Sequence, residues 1–244
     1  MPDQNQNALP LQGRIALITG ATRGIGRAVA IAYAKAGAHV IATGRKQDDL
    51  EALDDEIAAI EGAEPATLVA LELTDFDAID RLGAAVAGRW GKLDILVGNA
   101  AILGQTSPIG HIAVDVWQDL MDVNVTANWR LIRAMDALIR ASDAGRAIFV
   151  TSGAAHSAKQ YWGGYATSKA ALEMIARTWA AEMRDTPHKV NLINPGPMRT
   201  DMRAQAMPGE DPMSLPAPEE ITPLFVQLAS PNCEETGEIF DFKK

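Results

Sequence analysis

Arg14-Ile15-Ala16-Leu17-Ile18-Thr19-Gly20-Ala21-Thr22-Arg23-Gly24-Ile25-Gly26 is the stretch that decides the fold. Residues 14–19 are a short apolar run of strand type. Residues 27–36 carry apolar side chains at helical spacing and stop at Gly37. Between them lie three glycines, spaced Gly20-x-x-x-Gly24-x-Gly26. Glycines in such a turn let backbone N–H groups approach a phosphate, and the following helix N-terminus adds partial positive charge. The spacing is not the commoner Gly-x-Gly-x-x-Gly, so its position between strand and helix carries most of the weight.

The same alternation continues outward. Strands are expected at residues 39–43, 67–73, 93–97, 147–151, 189–193 and 238–242. Helices are expected at residues 48–61, 76–90, 116–141, 165–184 and 219–228, with Thr74-Asp75 capping the second and Gly91 ending it. The strands are mostly continuous apolar runs. An α/β fold follows: a single doubly wound Rossmann-like domain, with a mostly parallel sheet of about seven strands and helices on both faces. No linker, charge block or repeat divides residues 12–244, and residues 1–11 read as a polar, disordered arm. Ligands of such sheets bind beyond the carboxyl ends of the strands. Gly20, Gly44, Asn99, Ser152 and Asn194 all fall there, each after a different strand.

Composition narrows the function classes. The chain has 244 residues, 48% of them hydrophobic and 22% charged, with a net charge of −9. That balance, without any Lys/Arg run, argues against nucleic acid and anionic membranes as partners. No apolar run is long enough to span a bilayer. The absence of signal-like residues and the single cysteine, Cys233, suit a reducing cytoplasm. His39, His111, His156 and His188 are scattered without ligand spacing, so no metal site is expected.

Tyr165-Ala166-Thr167-Ser168-Lys169 heads the helix expected at residues 165–184. A four-residue step places Tyr165 and Lys169 on one helix face. An ammonium about 4 Å from the phenol, at an effective dielectric near 20, would favour phenolate by roughly 4 kcal/mol, or about three pKa units. That would bring the phenol toward the range useful for general acid–base chemistry.

With these residues in view, the chain resembles the short-chain dehydrogenase/reductase family, and is similar to the 3-oxoacyl-carrier-protein reductases. The resemblance rests on Thr19-Gly-Ala-Thr-Arg-Gly-Ile-Gly26, Asn99-Ala100, Asn124, Ser152, Tyr165-x-x-x-Lys169 and Asn194-Pro-Gly-Pro-Met-Arg-Thr200. It implies an enzyme that moves a hydride between a nicotinamide cofactor and a carbonyl or secondary alcohol. Tyr165 would be the general acid/base and Ser152 would orient the carbonyl oxygen. Lys169 would lower the Tyr165 pKa and bond the nicotinamide ribose. Asn124 would hold a helix irregularity and a proton-relaying water.

The cofactor contacts carry over in the same manner. Gly20, Thr22, Arg23, Gly24 and Gly26 would line the pyrophosphate turn, with Ile25 beneath it. Asn99 and Ala100 would lie beside the adenosine ribose, Glu72 and Leu73 beside the adenine. Pro195, Gly196, Met198 and Thr200 would close over the nicotinamide. The second strand ends in Thr43-Gly44-Arg45, without the carboxylate that NAD-specific members use there. Arg23 and Arg45 therefore favour NADP(H), with NAD(H) left open.

Three departures stand out. Gly98-Asn99-Ala100-Ala101 replaces the family's Asn-Asn-Ala-Gly, Glu72 replaces Asp, and Asp241-Phe242-Lys243-Lys244 replaces the usual tail. The substrate side is expected to be largely apolar. A flap over residues 196–218, with Met198, Met202, Met207 and Met213, would join Ile102, Leu103, Tyr161 and Trp162. Related proteins pair their long helices into tetramers, so a homo-oligomer, tetramer or dimer, is expected. Two other classes were weighed. A Ser/His hydrolase lacks Gly-x-Ser-x-Gly, although His156 follows Ser152 by four residues. A non-catalytic dinucleotide-binding redox sensor is the stronger alternative, but it has no need of Tyr165 and Lys169.

Overall fold

The computed structural model describes residues 9–243. Ile15–Ile18 (β1) is buried along its whole length, with alternate side chains serving opposite faces. Ala16 and Ile18 join one core; Ile15 and Leu17 join another. This period-2 split is what a strand covered on both sides requires.

The chain then builds Gly24–Lys35 (α1), His39–Gly44 (β2), Gln47–Ala58 (α2), Thr67–Ala70 (β3), Phe76–Trp90 (α3) and Ile95–Gly98 (β4). Val114–Met121 (α4) and Ala127–Arg140 (α5) follow, then Arg146–Val150 (β5), Gly163–Glu182 (α6) and Lys189–Asn194 (β6). Asp201–Ala206 (α7), Thr222–Ala229 (α8) and Ile239–Asp241 (β7) complete it. The seven strands lie in the order β3-β2-β1-β4-β5-β6-β7, every neighbouring pair parallel. One core packs α1, α2 and α8 on the sheet through Val29, Tyr33, Leu50, Leu53 and Phe225. The other packs α3, α5 and α6 through Ile79, Leu82, Leu131, Met135 and Trp179. Strand order reverses between β1 and β4, the switch point where such sheets open a crevice.

Four local expectations change. The helix expected over residues 116–141 is α4 and α5, joined by a π-helical turn at Asp122–Thr126 around the buried Asn124. β3 stops at Ala70, because the chain leaves the sheet and Leu71, Glu72 and Leu73 face the crevice instead. The Met-rich flap contains a helix, α7, whose N-cap Thr200 accepts from the Arg203 amide. Residues 1–8 of the expected arm lie outside the described residues. Leu11, assigned to that arm, is fully buried, and its amide donates to the Ala36 carbonyl. The tail Asp241-Phe242 is in use: β7 pairs Asn194 with Asp241.

Candidate active site

A cleft of about 860 Å³ runs across the carboxyl ends of β1, β2, β4, β5 and β6. One end is built by the glycine turn. Gly24 has φ +53, a conformation that suits glycine, and opens α1, whose N-cap Arg23 supplies no side-chain cap. The first-turn amides are therefore free of intramolecular caps and available to an anion. Gly26 lies behind the turn: a Cβ there would sit 2.2 Å from the Gly20 carbonyl oxygen and 2.4 Å from Asn99 Nδ2. Asn99 Nδ2 donates to the Thr19 and Gly20 carbonyls, 2.9 and 3.2 Å away. The buried Thr19 hydroxyl accepts from the Asn99 and Ala100 amides at 3.0 and 3.1 Å, tying β1 to β4. Sequence reasoning assigned Thr19 no role of its own.

Arg23, Arg45 and Lys46 line the cleft, as do Asp49 and Glu72. Arg45 is exposed and forms no ion pair among the described residues. Arg23 reaches Asp201 at the start of α7, 3.4 Å away.

The other end is made of side chains. Ser152 follows β5 in extended conformation and caps a single 3-10 turn, Gly153–His156, accepting from the Ala154 amide at 3.2 Å. Tyr165 lies near the start of α6, 9% exposed, and lines the cleft together with Ser152. Its ring meets Trp162 edge-on, centroids 6.1 Å apart. Lys169 is 2% exposed; Nζ donates to the Val150 carbonyl at 2.8 Å and stands 5.8 Å from the Tyr165 ring centroid.

Burial sets the proton affinities here. It pushes the Tyr165 phenol up to about 12, with the Ser152 hydroxyl pulling the other way. It pushes the Lys169 ammonium down to about 8, opposed by the charge of Glu173. The expected acidification of Tyr165 by Lys169 is thus not met. Desolvation of the phenolate outweighs an ammonium that is itself desolvated and turned toward Val150.

Asn124 holds its place from behind. Its Oδ1 accepts from the Ile102 amide at 2.9 Å, and Nδ2 donates to the Ile102 carbonyl and the Ser168 hydroxyl at 2.9 and 3.0 Å. The π-helical turn is the helix irregularity expected at this residue.

The cleft brings together Gly20, Thr22, Arg23, Gly24, Ile25, Arg45, Glu72, Leu73, Asn99 and Ala100 at one end. At the other it gathers Ser152, Tyr165, Lys169, Pro195, Gly196 and Met198, while Thr200 lies beside the glycine turn, its Cγ2 3.4 Å from where a Cβ on Gly24 would sit. Gly26 and Asn124 do not line it. Gly26 is the residue beneath the turn and Ile25 faces the cleft, reversing the expected arrangement, because only a missing Cβ lets the helix approach Gly20 so closely. Of the apolar pocket residues, Ile102, Leu103, Trp162, Met198 and Met202 line the cleft. Tyr161 does not: it is a positive-φ residue (φ 71), 56% exposed. Met213 is exposed too. Lys159, Arg199 and Arg203 also border the substrate end, which is less apolar than expected. Asn194 was expected at a strand end and within its motif, without a role of its own. Its Oδ1 accepts from the Gly153 and Gly196 amides, and Nδ2 donates to Asp241.

Comparison with known proteins agrees with this geometry. The model of the family described as short chain dehydrogenase matches residues 14–211. An uncharacterized oxidoreductase of Escherichia coli K12, YciK, is 38% identical over 233 residues, covering 95% of this chain and 92% of that protein. The 3-oxoacyl-[acyl-carrier-protein] reductase FabG of Vibrio harveyi is 32% identical over 237 residues, 93% of this chain and 95% of the other. A crystal structure of a short chain dehydrogenase from Escherichia coli CFT073, complexed with NADPH, superposes with a TM-score of 0.91 at 38% identity, covering 96% and 98% of the two chains.

Proposed function

The chain belongs to the short-chain dehydrogenase/reductase family, and we propose that it reduces a carbonyl compound to the alcohol with NADPH, Tyr165 serving as the proton donor. The observation that carries this reading is that Ser152, Tyr165 and Lys169 line the same cleft as the helix N-terminus of α1 and two arginines.

The residues present fit the cofactor. The cradle that a Cβ at Gly26 would fill, the uncapped start of α1 and the cationic Arg23 and Arg45 suit a pyrophosphate and a 2′-phosphate. No carboxylate ends β2, which favours NADP(H) over NAD(H). The NADPH complex of the Escherichia coli CFT073 relative supports the same choice.

When bound, the nicotinamide supplies the hydride, and the chain supplies position and proton. Ser152 orients the carbonyl oxygen against the Tyr165 hydroxyl. With its pKa up at about 12, Tyr165 keeps its proton at neutral pH and releases it as that oxygen gains alkoxide character. Lys169, 5.8 Å from the Tyr165 ring centroid, offsets the phenolate that is left. Asn124 fixes Ser168 and, through the Ser168–Tyr165 backbone bond, the first turns of α6. A non-catalytic redox sensor would need none of this arrangement. Exposed Trp129 on α5 and Met174 on α6 support assembly with further copies of the chain through those helices.

A panel of ketones and aldehydes with NADPH, and of secondary alcohols with NADP+, tests the reading. NADPH consumption with at least one carbonyl compound is expected. Tight NADPH binding without turnover across the panel would replace the enzyme by the sensor.

A further inference from the structure

Glu173 is a buried carboxylate, 5% exposed, one helical turn beyond Lys169 on α6. Its Oε1 accepts from the Thr151 hydroxyl at 2.5 Å. Its Oε2 lies 2.8 Å from His156 Nε2. Thr151 immediately precedes Ser152, and His156 closes the 3-10 turn that Ser152 caps. The two oxygens of one carboxylate therefore grip both flanks of the Ser152 turn. A single 3-10 turn has poor hydrogen-bond geometry and little stability of its own. Asn194 on β6 steadies it as well, its Oδ1 accepting from the Gly153 amide at 2.9 Å. A carboxylate buried this deeply costs free energy unless it is fully bonded, so its two contacts lock as a pair.

We propose that Glu173 is a positioning residue that fixes Ser152 relative to Tyr165 by tying residues 151 and 156 to the helix carrying Tyr165 and Lys169. The inference rests on the reading of Ser152 and Tyr165 as the carbonyl site. Ser152 follows β5 and caps the 3-10 turn, whereas Tyr165 lies on α6, so the two face one substrate only if turn and helix keep register. Glu173 reports to both.

Two measurements test this. The first needs no substrate: amide hydrogen exchange of residues 151–157. In Glu173→Ala, exchange there should quicken about tenfold, while Glu173→Gln, which keeps both hydrogen-bonding positions, should stay within about threefold of wild type. Unchanged exchange in folded Glu173→Ala overturns the tether. The second is kinetic. Glu173→Ala should lower kcat about tenfold with the carbonyl KM and the NADPH Kd within about twofold, and Glu173→Gln should restore most of it. In a Ser152→Ala background the same substitution should cost almost nothing further. An equal loss in both backgrounds shows that Glu173 does not act through Ser152 and overturns the proposal. Where Glu173→Ala does not fold, the Thr151→Val/His156→Ala pair removes the tether from the other side and is held to the same two outcomes. A wild-type protein without turnover would sink the reading of the site, and the exchange measurement would still decide the tether.

Discussion

The two ends of the cleft are made of different materials. At the β1–α1 end the wall is main chain: amides, carbonyls and a close approach that Gly26 alone permits. At the β5–α6 end it is side chains, Ser152, Tyr165 and Lys169, supported from behind by Asn124, bonded to Ile102 and Ser168, and by Glu173, bonded to Thr151 and His156. The difference teaches how each end can fail. A main-chain wall is lost by adding an atom, a side-chain wall by removing one.

The sharpest way to break this contrast is Tyr165→Phe. It deletes one oxygen and should lower turnover by about a thousandfold, as loss of a general acid does, with NADPH Kd within about twofold. Turnover near wild type would remove Tyr165 from the proton step. Gly26→Ala is the converse, since the added methyl meets the Gly20 carbonyl. A cost of about 3 kcal/mol is expected, read as a Tm lower by roughly 6–12 °C and NADPH binding weakened in step. An alanine variant with unchanged Tm and Kd would show that the turn yields easily.

A smaller effect comes from pH. Lys169 has its affinity for the proton lowered by burial, to about 8, so its charge is present below that value and is lost as pH rises through it. Tyr165, pushed up to about 12, stays protonated throughout. Carbonyl reduction should therefore decline above about pH 8, approaching tenfold per unit where the charge is needed. A rate that stays level up to pH 10 would separate the ammonium from the chemistry. Smallest is Arg45→Ala, an exposed cation on the rim: NADPH KM should rise about fivefold to tenfold with NADH KM unchanged. Equal changes for both cofactors would deny Arg45 the 2′-phosphate.

What could be read in advance follows the same division. The helix Phe76–Trp90 was legible to the residue, because Asp75 caps it by accepting from Ala78 and Gly91 ends it at φ 69. The glycine turn was legible because main-chain geometry demands glycine. The π-helical turn was legible only through the family resemblance, because the apolar pattern of residues 116–141 reads as one continuous helix. Asn124 alone hinted at it. Glu173 was invisible: a glutamate within a helix ordinarily faces solvent, and its partners lie 22 and 17 positions away in the chain. The raised affinity of Tyr165 for its proton was missed because helical spacing reports neighbours along α6 and not how deeply they are buried. Leu11 was placed in the arm because residues 1–12 read as polar overall, yet among the described residues 9–11 it is the one that reaches the core.

Asp241 sits three residues from the carboxyl terminus, yet it holds Asn194, which in turn holds the Gly153 and Gly196 amides. The last strand is thus mechanically continuous with the reaction chamber. Losing the Asp241 carboxylate would therefore slacken the loop after Ser152 and the entrance to the flap at once.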